Sequence, residues 1–72
     1  MNFGNEVNMT QFNHLSQLRD KYSSNMVFCW KQGRLCENIY PETSKGWFQV
    51  GEYYRKQLEL VQNQLTEEVA KW

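Results

Sequence analysis

The sequence lacks any apolar run near 18 residues and any excess of charge of one sign, and each absence removes a class of protein. Without such a run, no segment is expected to cross a membrane. Eight basic and eight acidic side chains give a formal net charge of zero, which counts against a protein that holds nucleic acid by electrostatic attraction alone. The first residues also lack the basic and apolar regions of a signal peptide. We therefore expect a cytoplasmic protein with no membrane partner.

Side chains suited to catalysis or metal binding are also scarce. The two cysteines and one histidine cannot form a closed zinc site without further ligands. His14 has no serine, cysteine or aspartate at a spacing typical of a catalytic group, the carboxylates are scattered, and there is no glycine-rich phosphate loop. We expect no enzymatic activity and no cofactor. In a reducing cytosol, Cys29 and Cys36 are expected to be free thiols.

Aromatic residues, in contrast, are abundant: three Trp, four Tyr and four Phe among 72 residues. A chain this short makes one small domain of marginal stability. Aromatic side chains each bury a large area, so they can close a small core or supply a surface for a partner. The polar residues 1–9 predict a loosely held segment, and residues 10–72 predict the single domain.

Two segments have the spacing of amphipathic helices. The first begins near Thr10, which can cap it, and carries four apolar residues at helical spacing: Phe12, Leu15, Leu18 and Tyr22. We expect it to end at the polar stretch 23–25. The second covers residues 52–72, without Gly or Pro, and is about 30 Å long at 1.5 Å per residue.

A helix this long exceeds what the rest of the domain can cover. Its apolar residues therefore predict a homodimer interface, formed by Leu58, Val61, Leu65 and Trp72. The alternative is a helix that packs entirely on its own domain.

The segment "SSNMVFCWKQGRL", residues 23–35, fits two structures. In the first, Ser24 caps a helix that presents Val27 and Trp30 inward and ends at Gly33. In the second, "NMVFCW" and "RLCENIY" are two strands joined at Gln32 and Gly33. The segment "YPETSKG" that follows predicts the turn of a hairpin in either case. The second structure gives an α-β-β-β-α fold, a three-stranded meander between two helices.

The span from about residue 10 to residue 57 resembles the small excisionase-like proteins of prophages and, more distantly, MerR-type regulators. The shared pattern is a capping Ser24, then Val27 and Trp30 at intervals of three, then "GRL" at residues 33–35. A short segment with Pro41 and Gly46 follows, in the place of a wing. The resemblance implies an α+β fold, a small winged helix-turn-helix (α-α-β-β-α) with a long C-terminal helix.

The resemblance also implies a function. It predicts a non-catalytic DNA-binding accessory protein of a bacterial host cell, either a recombination directionality factor or a phage transcriptional regulator. Its partners would be double-stranded DNA and an integrase. Polar and basic residues of the helix and wing are the candidate DNA contacts: Ser24, Asn25, Lys31, Gln32, Arg34 and Lys45. The alternative is a small phage-encoded protein–protein interaction module that inhibits or adapts a host protein, which suits the neutral charge and the aromatic content.

Overall fold

The protein is an antiparallel pair of long helices. The computed structural model describes the backbone of residues 3–71 and the side chains of residues 10–71. Helix α1 covers Phe3–Cys36 and helix α2 covers Pro41–Ala70, and residues 37–40 join them. The molecule is a rod of 60 × 14 × 10 Å with a radius of gyration of 16.6 Å. A compact chain of this length would have a radius of gyration of about 11 Å.

The predicted strands are wrong. Residues 3–71 contain no strand, so both the winged helix-turn-helix and the three-stranded meander are excluded. The segment predicted to be a hairpin turn is the first turn of α2. Pro41 is the first residue of that helix, where its missing N–H group costs nothing because the first amides of a helix have no partner within it.

The predicted helix boundaries in the first half are also wrong. Residues 23–25 do not end a helix, and Gly33 does not end one either, because all of them lie inside α1. The predicted recognition helix is therefore only a middle section of a 34-residue helix. Helix α1 begins at Phe3, within the segment 1–9 that we expected to be loosely held, while Met1 and Asn2 lie outside the described residues.

A seven-residue repeat holds the two helices together. The repeat keeps one stripe of each helix facing the other from residue 15 to residue 36 of α1 and from residue 44 to residue 65 of α2. The positions in the repeat are Leu15, Tyr22, Cys29 and Cys36 in α1 and Ser44, Gly51, Leu58 and Leu65 in α2. At the open end, Leu15, Val61 and Leu65 form a buried apolar cluster. Within the described helices, no stretch is long and apolar enough to cross a membrane.

The contacts near the loop are of a different kind, because there aromatic rings of one helix pack against glycines of the other. A Cβ atom built at Gly33 would lie 2.9 Å from Cζ of Phe48. A Cβ atom built at Gly51 would lie 2.5 Å from both Cδ1 and Nε1 of Trp30. Each ring therefore occupies the space that a side chain on the facing helix would need. Glycine normally weakens a helix interior, and here the ring contacts offset that cost.

A buried hydrogen bond connects the helices at the loop. The hydroxyl of Ser44 donates to the main-chain carbonyl of Gly33 at 2.7 Å. That carbonyl is one of the last four of α1, which have no amide partner further along the helix. The Cys36 carbonyl, another of the four, accepts from the amides of Ile39 and Tyr40 at 3.1 and 2.7 Å. Ser44 thus completes the end of α1 from the second helix.

We expect Gly51→Ala to destabilise the protein by about 1–2 kcal/mol, because the new methyl group would displace the Trp30 indole. Gly46→Ala is the matched control, since no atom lies within 4 Å of a Cβ atom built there. That variant should stabilise the protein by about 0.5–1 kcal/mol through helix propensity. Urea unfolding at low micromolar concentration measures both. Equal stabilisation by the two variants would contradict the ring contact.

We expect Ser44→Ala to cost about 1 kcal/mol, because it leaves a buried carbonyl without its hydrogen bond. Thr66→Ala is the control: its hydroxyl also donates to a main-chain carbonyl, that of Gln62 at 3.0 Å, but at an exposed site. The control should change the free energy of unfolding by less than about 0.5 kcal/mol. Equilibrium unfolding followed by circular dichroism compares them, and an equal effect would mean that the Ser44 bond contributes nothing.

Candidate interaction surface

Helix α2 carries two stripes of opposite character, each with the spacing i, i+3, i+7. One stripe is charged and consists of Glu52, Arg55 and Glu59, here called the charged flank. The other stripe is apolar and consists of Trp47, Val50 and Tyr54. With 3.6 residues per turn, the centres of the stripes lie roughly 140° apart around the helix axis, so they fall on opposite sides of the contact with α1.

The charged flank is an ion-paired triad. The Arg55 guanidinium binds Glu52 through Nη2 and Nε, at 2.6 and 2.8 Å from Oε1, and it reaches Glu59 Oε2 with Nη1 at 3.4 Å. The hydrogen bond from Arg55 lowers the pKa of Glu52, and the positive charges of Arg55 and Lys56 act in the same direction. The side chains of Arg55, Glu52 and Glu59 are 43%, 47% and 66% exposed, so water screens these ion pairs and they contribute little to stability.

The opposite side of the hairpin presents aromatic and aliphatic groups. Phe28 of α1 meets Trp47 of α2 edge to face, with ring centroids 5.7 Å apart and planes at 80°. Phe28 is still 53% exposed, and Leu35, seven residues further along the same side of α1, is 72% exposed. Val50 is 45% exposed. We call the five residues on this side the aromatic flank: Phe28, Leu35, Trp47, Val50 and Tyr54.

Contacts across the helix pair hold the aromatic flank in place. Tyr54 packs on Tyr22 of α1 with ring centroids 6.1 Å apart, and Trp47 packs on Phe28. A shallow open cavity lies beside Trp47 and Val50, with Thr43 and Gly46 as its other walls. The flank is therefore a firm apolar surface with an indentation, and none of its five side chains is charged.

An apolar surface of this kind is a candidate binding surface. The described residues contain no group of three His, Cys, Asp or Glu side chains that could hold a metal ion. Exposed apolar patches on small proteins mark sites of interaction, and aromatic residues are enriched while charged residues are depleted at the centres of interfaces.

The predicted DNA contacts do not form one surface. Lys31 and Arg34 are exposed, and with Val27 and Trp30 they line a shallow cavity. Lys45 is exposed on α2, and its ammonium group lies 3.5 Å from Glu42.

The remaining three predicted DNA contacts are uncharged side chains of α1. Ser24 is exposed, whereas Asn25 and Gln32 are half-buried. No wing and no separate recognition helix is present within residues 3–71, so the geometry on which these predictions depended is absent.

The residues predicted to form a dimer interface lie mostly inside the chain's own packing. Val61 and Leu65 are only 6% and 7% exposed, because they contact Leu15 of α1. Leu58 is half-buried, and Trp72 lies outside the described residues. Within one chain, the apolar residues Val61 and Leu65 of α2 therefore pack against α1.

The two cysteines cannot bridge each other. Cys29 is buried and Cys36 is half-buried, and both are free thiols in the structure. They are seven residues apart on one helix, a rise of about 10.5 Å, which exceeds the separation that a disulfide can span.

Sequence reasoning missed the residues that shape this surface. The sequence predicts a helix that ends at Gly33, a second helix that begins after Gly51, and a turn that contains Ser44. The available signal was the seven-residue spacing of Ser44 and Gly51 with Leu58 and Leu65. The stripe of Trp47, Val50 and Tyr54 was also readable, but the aromatic and β-branched content favoured a strand there.

Comparison with known proteins does not extend these observations. The chain matches no protein-family model, and comparisons with curated proteins and with solved structures give no significant match. The resemblance to excisionase-like proteins therefore stays a prediction.

We expect Arg55→Ala to raise the pKa of Glu52 towards its ordinary value of 4.5, because the variant removes the hydrogen bond that favours the ionised carboxylate. In the wild-type protein, the favourable contribution of this pair is complete above that value and is lost as the pH falls through the lowered pKa. A carboxyl-carbon NMR titration measures the change. Lys71→Ala, whose side chain pairs with Glu68, is the control and should leave the Glu52 titration unchanged. An unaltered titration in Arg55→Ala would contradict this assignment.

Proposed function

We propose that the protein is a non-catalytic interaction module that binds a protein partner through the aromatic flank. The observation that carries this proposal is the edge-to-face pair of the exposed Phe28 and the half-buried Trp47, which continues into Val50 and Tyr54. The charged residue Lys31 lines a cavity with Phe28 at the edge of this surface. Large aromatic side chains that are held rigid lose little entropy on binding and contribute most to interface energy.

The distribution of charge supports the same proposal. The carboxylates and the guanidinium of the charged flank form ion pairs that are stable in contact with water. A partner that covered this flank would therefore gain little free energy. The aromatic flank has no such compensation. A protein partner of matching shape would remove its apolar surface from water, at about 25 cal/mol for each Å² buried.

Direct binding of DNA has weaker support. The formal net charge is zero, and Lys45 has a carboxylate neighbour, which leaves Lys31 and Arg34 as the exposed basic pair of the original prediction. Phosphate contacts usually come from several cations on one face. The predictions of an integrase partner, of a phage origin and of a cytoplasmic location are not tested by the geometry.

Site-directed photocrosslinking tests the proposal. We expect p-benzoylphenylalanine in place of Phe28, in cells of the organism that encodes the chain, to trap a protein that mass spectrometry identifies. The same group in place of Glu59, on the charged flank, is the matched control and should trap much less. Adding Val50→Glu should abolish the product at position 28. Equal yields from positions 28 and 59, or no product from either, would refute binding through this flank.

A further inference from the structure

We infer that the occupant of the aromatic flank is a second copy of this chain, so that two hairpins join side by side into a four-helix bundle. The inference rests on the proposed function, because it names the partner of the same surface. It differs from the dimer predicted from the sequence, whose residues Val61 and Leu65 are already buried within one chain.

The first argument is the amount of surface left exposed. The chain has a mass of 8.7 kDa and exposes 5595 Å². A compact monomer of that mass would expose about 4,700 Å². The excess, about 900 Å², is close to the roughly 800 Å² that each partner contributes to an interface of standard size. One further hairpin on one flank would therefore give the chain the exposure of an ordinary small protein.

The second argument is the weakness of the core. Among residues 10–71, only four apolar side chains are buried: Leu15, Cys29, Val61 and Leu65. Each helix has one neighbour, and a chain of this size usually requires oligomerisation or another constraint to be stable. In a four-helix bundle each helix has two neighbours, and the flank that faces the second pair becomes part of the core.

The third argument is charge. The formal net charge is zero, so two copies do not repel each other at long range. The five residues of the aromatic flank carry no charge that would select a partner of opposite sign. Two identical apolar flanks related by a twofold axis can each bury the apolar surface of the other, because both copies present the same patch. The charged flanks would then face outward on both sides of the bundle.

Sedimentation equilibrium of the purified full chain, from 2 to 200 µM, tests the inference. We expect a mass of about twice 8.7 kDa at the upper concentrations. Val50→Glu places an unpaired charge in the interface and should weaken dimerisation by at least about 100-fold. Val69→Glu is the matched control: the same substitution on the same helix, at a residue that is 50% exposed against 45% for Val50. It should leave the dissociation constant within about threefold.

The outcomes separate this inference from the proposed function. If the protein is a monomer at 200 µM and the crosslinker at position 28 traps a protein other than this chain, the dimer is refuted and the proposed function is retained. A dimer that survives Val50→Glu, while circular dichroism shows both variants to be helical, would also overturn the inference, because another surface would form it. A dimer lost in Val50→Glu and kept in Val69→Glu, with copy-to-copy crosslinks from position 28, would support both.

Discussion

Two aromatic rings seated on two glycines determine how this hairpin is built. Trp30 occupies the space above Gly51, and Phe48 occupies the space above Gly33. Each helix supplies one ring and one glycine, so the contact is reciprocal. Because the glycines have no side chains, the helices can approach until Ser44 reaches the Gly33 carbonyl at 2.7 Å. A larger residue at either glycine would have to displace the ring that packs there or increase the distance between the helices.

The surface described above follows from this close approach. Because the helices lie near each other at the loop end, Phe28 of α1 and Trp47 of α2 come into edge-to-face contact on the aromatic flank. Further along, the rings of Tyr22 and Tyr54 pack in a tilted arrangement, with centroids 6.1 Å apart and planes at 34°. The aromatic side chains of the flank are thus held by contacts across the helix pair, which helps a binding surface to keep its shape. At the open end, ordinary aliphatic packing around Leu15 takes over.

Part of this structure is predictable from the sequence. The helical spacing of Phe12, Leu15, Leu18 and Tyr22 was correct, and so was the stripe that contains Val61 and Leu65. The middle of the chain was not predictable by the same rule, because its inward positions are Cys29, Gly33, Ser44 and Gly51. A search for hydrophobic periodicity does not count small residues such as Gly and Ser as inward-facing. The apolar stripe of each helix therefore ends, in the sequence, at the point where the helices pack most closely.

The preference of Val27, Phe28, Trp47 and Val50 for strands added to the error. Strand propensity reflects how a side chain fits a half-buried surface, and a helix pair with aromatic residues on its flank offers a surface of that kind. Pro41 and Gly46 suggested a turn, although proline is also favoured at the first position of a helix. The candidate surface could not be located from the sequence alone, because the two flanks are defined by the side on which α1 and α2 contact each other.

The loop of only four residues, 37–40, sets the order in which contacts can form along the chain. Ser44 and Gly33 are 11 residues apart, whereas Leu15 and Leu65 are 50 residues apart. Closing a short loop loses less chain entropy than closing a long one, so the glycine and aromatic contacts can assemble before the aliphatic end is brought together. The hairpin would then form its contacts progressively from the loop towards the open end, and the contacts near the loop would set the register of the two helices.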